Sequence, residues 1–131
     1  MNQSDPLQKL IVSESQAVDR QALADLLSPY LSINKETQSF DFSGTFLELT
    51  NADRILIVLC AVKARSLVLG SDEKITPLEI IKLEIAPEGS IKNTLKKLLE
   101  SKDIKSDKGQ YYLPNYKLLR VIARFKKNNQ Q

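Results

Sequence analysis

Ile55-Leu56-Ile57-Val58-Leu59-Cys60-Ala61-Val62 is the longest unbroken apolar run in the chain, and it stops at Lys63. Eight residues fall far short of the roughly 20 that a helix needs to cross a bilayer. The run must therefore be buried in a protein interior. Its flanks give it helical form: Thr50 or Asn51 can cap the start, Ile55, Leu56, Leu59, Val62, Ser66 and Leu67 mark one face, and Gly70 supplies a C-terminal stop. A helix over 51–69 that is apolar nearly all round for two turns belongs at the centre of a domain, with other elements packed on several sides. Cys60 sits inside this run and reads as a buried small hydrophobe, because no neighbouring feature would stabilise a thiolate.

What surrounds that helix is limited by size. The chain has 131 residues, 42% of them apolar and 27% charged, enough for one compact domain that folds without disulfides. Met1 to Leu10 carries no basic patch, apolar stretch and small-residue cleavage site in succession, so a cytoplasmic location is expected. There is no histidine and a single Cys. That removes an imidazole base, a His-activated nucleophile and the usual zinc sites. Asp and Glu are scattered, without a paired-acid motif or a Gly-rich phosphate loop. The chain is expected not to be an enzyme and to need no cofactor or metal.

The net charge of +3 conceals a strong gradient. Residues 1–53 hold three basic residues (Lys9, Arg20, Lys35) against eight acidic ones, residues 54–88 balance at five each, and residues 89–131 hold eleven basic residues against Glu100, Asp103 and Asp107. All of the positive excess lies in the last third. A polyanion-facing C-terminal part and an acidic N-terminal part are expected, the alternative being a lysine-rich solubilising surface.

Ser13 and Gln16 have capping-box spacing, and Ala17, Leu23, Leu26 and Leu27 recur at helical intervals until Pro29, which predicts a helix over about 14–28. Leu31 and Ile33, then Phe40 and Phe42, alternate with polar residues around the turn Asn34-Lys35-Glu36-Thr37, which predicts a short hairpin. Its aromatics read as core, since Phe40 and Phe42 share a face with no interleaved basic residue.

Thr76-Pro77-Leu78-Glu79 is the sharpest local signal: an N-cap Thr, Pro at the first helical position and Glu at the third. With Leu78, Ile81 and Leu83 it predicts a helix over 77–83. Ile85 to Gly89 breaks that helix, and Pro87 opens another over 88–101 with Ile91, Leu95, Leu98 and Leu99 on its inner side. On a wheel of about 100° per residue, Ser90, Asn93, Lys96, Lys97 and Glu100 fall opposite. Ile104 to Leu113, with Asp107-Lys108-Gly109 at its turn, reads as a second hairpin. From Pro114 a closing helix follows, carrying Lys117, Arg120, Arg124 and Lys127 on one stripe.

The order helix, short helix, helix, hairpin, helix over residues 50–127 resembles the winged helix-turn-helix family of small prokaryotic regulators, the phrases Thr76 to Ile80, Pro87 to Ile91 and Leu95 to Glu100 following its pattern. The expected fold is thus mainly α with small β, a winged helix-turn-helix over 50–131 with an N-terminal helix and β-hairpin extension over 1–49 and a C-terminal helix. The resemblance implies that helix 88–101 enters the DNA major groove by its N-terminal half. By position, Ser90, Asn93, Thr94 and Lys97 would face the groove, Lys92 and Lys96 would flank it, and the wing would offer Lys105 and Lys108 supported by Tyr111 or Tyr112. Asn93 can read a base edge by paired hydrogen bonds. No Arg lies between Arg65 and Arg120, so the commonest guanine-reading side chain is missing and weak sequence specificity is expected.

These readings describe a DNA-binding transcriptional regulator or accessory factor. It is expected to form a homodimer, because the closing helix would otherwise expose Leu118, Val121 or Phe125, and its N-terminal extension is expected to mediate self-association or contact a protein partner. The alternative is a winged-helix protein-protein interaction module within a larger assembly.

Overall fold

Helix α3 (Asn51–Leu69) is the axle of the molecule. In the computed structural model, which describes residues 5–11 and 17–129, every residue of α3 from Ile55 to Lys63 is buried. Thr50 caps the helix by accepting from the Asp53 amide at 3.2 Å, and Gly70 ends it with φ 76°, a left-handed conformation that glycine adopts without a Cβ clash. Burial pushes the Cys60 thiol far up its titration range, so it packs as an apolar side chain.

Two groups of elements pack on this axle. The first is α1 (Arg20–Leu27), β1 (Leu31–Ile33), β2 (Phe40–Phe42) and the one-turn helix α2 (Gly44–Leu47); the second is α4 (Pro77–Lys82), α5 (Glu88–Glu100), β3 (Lys105–Asp107), β4 (Gln110–Tyr112) and α6 (Asn115–Asn129). A short 3-10 turn, Pro6–Leu10, precedes them. The fold is mainly helical with two small antiparallel hairpins, and Leu23, Leu27, Phe46, Leu59, Leu95 and Leu118 belong to one continuous core. Among the described residues no helix is long and apolar enough to cross a membrane.

The first helix begins later than its spacing predicts. Residues 17–19 are not helical, and Asp19 caps α1 by accepting from the Ala22 amide at 3.0 Å; Ser13 and Gln16 lie outside the described residues. The Asp19 cap sets the start of α1 at Arg20. The hairpin that follows pairs Leu31 with Phe42 and Ile33 with Phe40. Phe40 and Phe42 are half-buried against the core, as their alternation implies, but a cation does reach them: the Arg65 guanidinium lies 4.4 Å from the Phe40 ring centroid. It also donates to the Gln38 carbonyl at 2.8 Å. Helix α2 is a finding of the structure. Ser43 caps it, donates to the Pro29 carbonyl at 2.7 Å, and so places fully buried Phe46 in a 4.2 Å stack on Phe42.

Helix α4 carries the complete capping box, with Glu79 accepting from the Thr76 amide at 3.0 Å and Thr76 from the Glu79 amide at 3.1 Å. Its anchor is Ile80, fully buried, whereas Leu78 is 59% exposed. A helix of six residues makes under two turns, so one position meets the core and its neighbours two away turn outward. The closing helix α6 buries Leu118, Val121, Ile122 and Phe125 against the rest of the same chain, Phe125 meeting Tyr30 edge-on at 6.2 Å. The apolar residues that called for a dimer are thus covered from within the chain, with α1 packed on α6.

Candidate nucleic-acid interface

Helix α5 owes its position to its inner face. Ile91, Leu95 and Leu98 are buried, on α3 and α4, and this sets the outward arc. Lys92, Asn93, Lys96 and Lys97 are all exposed on it, while Ser90 and Thr94 are half-buried at its edge. The expected groove-facing residues are therefore one contiguous surface rather than a scatter of lysines. Lys92 pairs with Glu88 one turn earlier at 2.9 Å; both side chains are 61% exposed, so the pair contributes little stability and can be exchanged for another anion.

The second hairpin turns on Lys108 and Gly109, with φ 51° and 81°, the two successive left-handed residues of a type I′ turn. Lys108 is exposed at the tip. Lys105 behaves differently: it is half-buried and its ammonium lies 5.9 Å from the Tyr116 ring, directed at α6. Of the two hairpin lysines, the one at the turn projects to solvent.

Sequence reasoning missed how the hairpin is held. Ile75, in the segment before α4, exchanges two backbone hydrogen bonds with Tyr111, at 3.0 and 2.7 Å, adding a third-strand contact to the hairpin. Next to it Lys74 pairs with Asp107 at 2.8 Å and lies 5.2 Å from the Tyr112 ring. Donating this hydrogen bond to the Asp107 carboxylate raises the Lys74 ammonium above its ordinary range, so the link stays charged. A single residue in strand conformation has no periodicity, and only the flanking Thr76 cap hints that 71–75 must be extended.

Arg54 supplies a second unforeseen constraint. Its guanidinium donates to the carbonyls of Leu49 (3.1 Å), Ile85 (2.6 Å) and Leu47, tying the end of α2 and the start of α3 to the turn between α4 and α5. Helix α4 is thus fixed at its start by the Thr76 cap and just beyond its end by Arg54.

The basic stripe on α6 is not a uniform surface. Lys117 is buried and donates to the Lys102 carbonyl, and Arg124 pairs with Asp53 at 2.7 Å; Arg120 and Lys127 are exposed. Lys117 is thus used inside the fold, while Arg124 is paired at the surface. Among the described residues no cluster of three or more His, Cys, Asp or Glu side chains could hold a metal ion. No family model matches the chain, and no curated protein and no solved structure matches it.

Proposed function

We propose that this chain is a cytoplasmic winged-helix DNA-binding protein that presents α5 to the major groove and the β3–β4 turn to a neighbouring stretch of backbone. The observation that carries this reading is the outer arc of α5, where Lys92, Asn93, Lys96 and Lys97 are exposed together with no apolar residue among them. The order α3, extended Ile75, α4, α5, hairpin supports it, being the order of the family the sequence resembles. Lysines on that arc act as phosphate neutralisers, Asn93 as the one base-reading group, and Lys108 as the wing contact.

A fluorescent duplex titrated with the protein across salt concentrations tests it. Four phosphate contacts give a slope of log K against log salt of about −4, and no association at low salt overturns the reading. A second reading, docking to a protein partner, draws on the exposed apolar residues Leu67 and Val68 at the end of α3. It predicts a co-purifying partner whose binding survives K96A and K97A.

A further inference from the structure

Where α6 crosses the turn after α5, its basic stripe borders a cavity of about 110 Å³. Lys102 and Asp103 form one wall, Lys117, Arg120 and Arg124 the other, over a floor that includes Leu56. Four cations meet there. Two carboxylates lie among them, Asp103, which accepts from the Ser101 hydroxyl at 2.6 Å and keeps its charge, and Asp53, which holds Arg124 at 2.7 Å, so the cluster retains a net positive charge.

Lys117 makes this cluster more than a solvated charge patch. It is 8% exposed, and its ammonium donates to the Lys102 carbonyl and lies 5.5 Å from the Tyr116 ring. Among the described residues no carboxylate pairs with it. An anion entering the cavity beside it would supply the missing counter-charge and meet N–H donors that the Lys102 carbonyl leaves over. Arg120, exposed and stacked 5.8 Å from the same Tyr116 ring, has a guanidinium fork available for a second, bidentate contact. Lys102 is set at the rim by the turn that ends α5, where the Asp103 amide donates back to the Leu98 carbonyl at 3.0 Å and Lys102 takes φ 64°.

We infer that this cavity binds the phosphate group of a small phosphorylated molecule. Its volume is several times the roughly 15 Å³ that one water needs by the same measure, which suits a tetrahedral oxyanion. The phosphates of a duplex are a poor match, because Lys117 is recessed and the cavity lies at the C-terminal turn of α5, away from the half offered to the groove. Bound phosphate would join Lys117 and Arg120 of α6 to Lys102 after α5, bracing the two helices against each other. This site stands whether or not the protein binds DNA.

The test is a titration of the full chain with inorganic phosphate at constant ionic strength, balanced with chloride, read as the midpoint of thermal unfolding. A saturable rise is expected in the wild type and in K97Q; in R120Q the phosphate affinity falls about tenfold, as the loss of one charge-assisted bidentate contact implies. K117M is the stronger variant. If it does not fold, R120Q and K102Q, both at exposed positions, decide the matter. No saturable rise in the wild type, or an undiminished rise in R120Q, overturns the proposal. Duplex titration of R120Q separates the two sources of phosphate: unchanged affinity and salt slope support a free ligand, whereas a slope reduced by about 1 without phosphate binding assigns the stripe to DNA and overturns it.

Discussion

The guanidinium of Arg54 in α3 donates to the carbonyl of Ile85, 31 residues further along the chain, at 2.6 Å. Because the same group also holds the Leu47 and Leu49 carbonyls, one side chain sets the start of the buried axle relative to the turn that aims α5. Three backbone acceptors depend on it. R54A is expected to destabilise the fold by about 3 kcal/mol and R54K by about half of that, since a lysine cannot span three acceptors in fork geometry. Chemical denaturation checks this as a lower midpoint with an unchanged slope.

The capping box at Thr76 and Glu79 acts at the other end of α4. T76A removes the acceptor for the Glu79 amide and should cost about 1 kcal/mol, while T76S should retain most of it. Equal denaturation midpoints for the two variants would contradict the assigned cap.

Hairpin anchoring by Lys74 has a defined pH window. Its ammonium titrates above its ordinary value, so its contribution is fully present below the unfolded-state value of about 10.4 and is lost as pH rises through the higher folded one. Exchange protection of the Ile75 and Tyr111 amides, the two that bridge segment and hairpin, should therefore show no Lys74-dependent change between about pH 6 and pH 9. K74M should lower that protection throughout this range.

The lysines of α5 and the residue among them that can read a base should separate in binding experiments. K96Q and K97Q are expected to weaken binding to all duplexes alike and each to reduce the salt slope by about 1. N93A should change the ranking of sequences by about 1 kcal/mol or more with little change in slope. K108N tests the wing contact cleanly, because asparagine tolerates the left-handed φ of 51° and only the charge is removed.

Cys60 provides a reporter of global opening. With its side chain fully buried and its thiol held protonated by desolvation, alkylation under native conditions should proceed only through opening of the fold and quicken in R54A. Rapid labelling of the native protein would show that α3 is exposed.

Much of the architecture was legible because its signals are local. The ends of α3 follow from Thr50 and Gly70, the start of α4 from Thr76, Pro77 and Glu79, and the outward arc of α5 from the spacing of Ile91, Leu95 and Leu98. The turn follows from Gly109, which adopts positive φ freely, although nothing local marks Lys108 for its own φ of 51°. Helix α2 escaped notice because four residues are too few to show a period, and its cap at Ser43 is completed by Pro29, fourteen residues earlier. The start of α1 was misplaced because two acceptors, Ser13 and Asp19, compete on spacing alone.

The sequence by itself determined where α3, α4, α5 and α6 lie, that α3 is buried, and that all of the positive excess falls after residue 88. Only the tertiary structure decided which of those cations remain available. Lys117 and Arg124 share a stripe with Arg120, yet the first is buried on the Lys102 carbonyl and the second is paired with Asp53 across 71 residues. Lys105 turns to Tyr116 whereas Lys108 stays in solvent. The physical reason is range: caps and periodicity act within a turn or two of chain, while a charge finds its partner through space, and that distance exists only once α6 has packed on the rest of the fold.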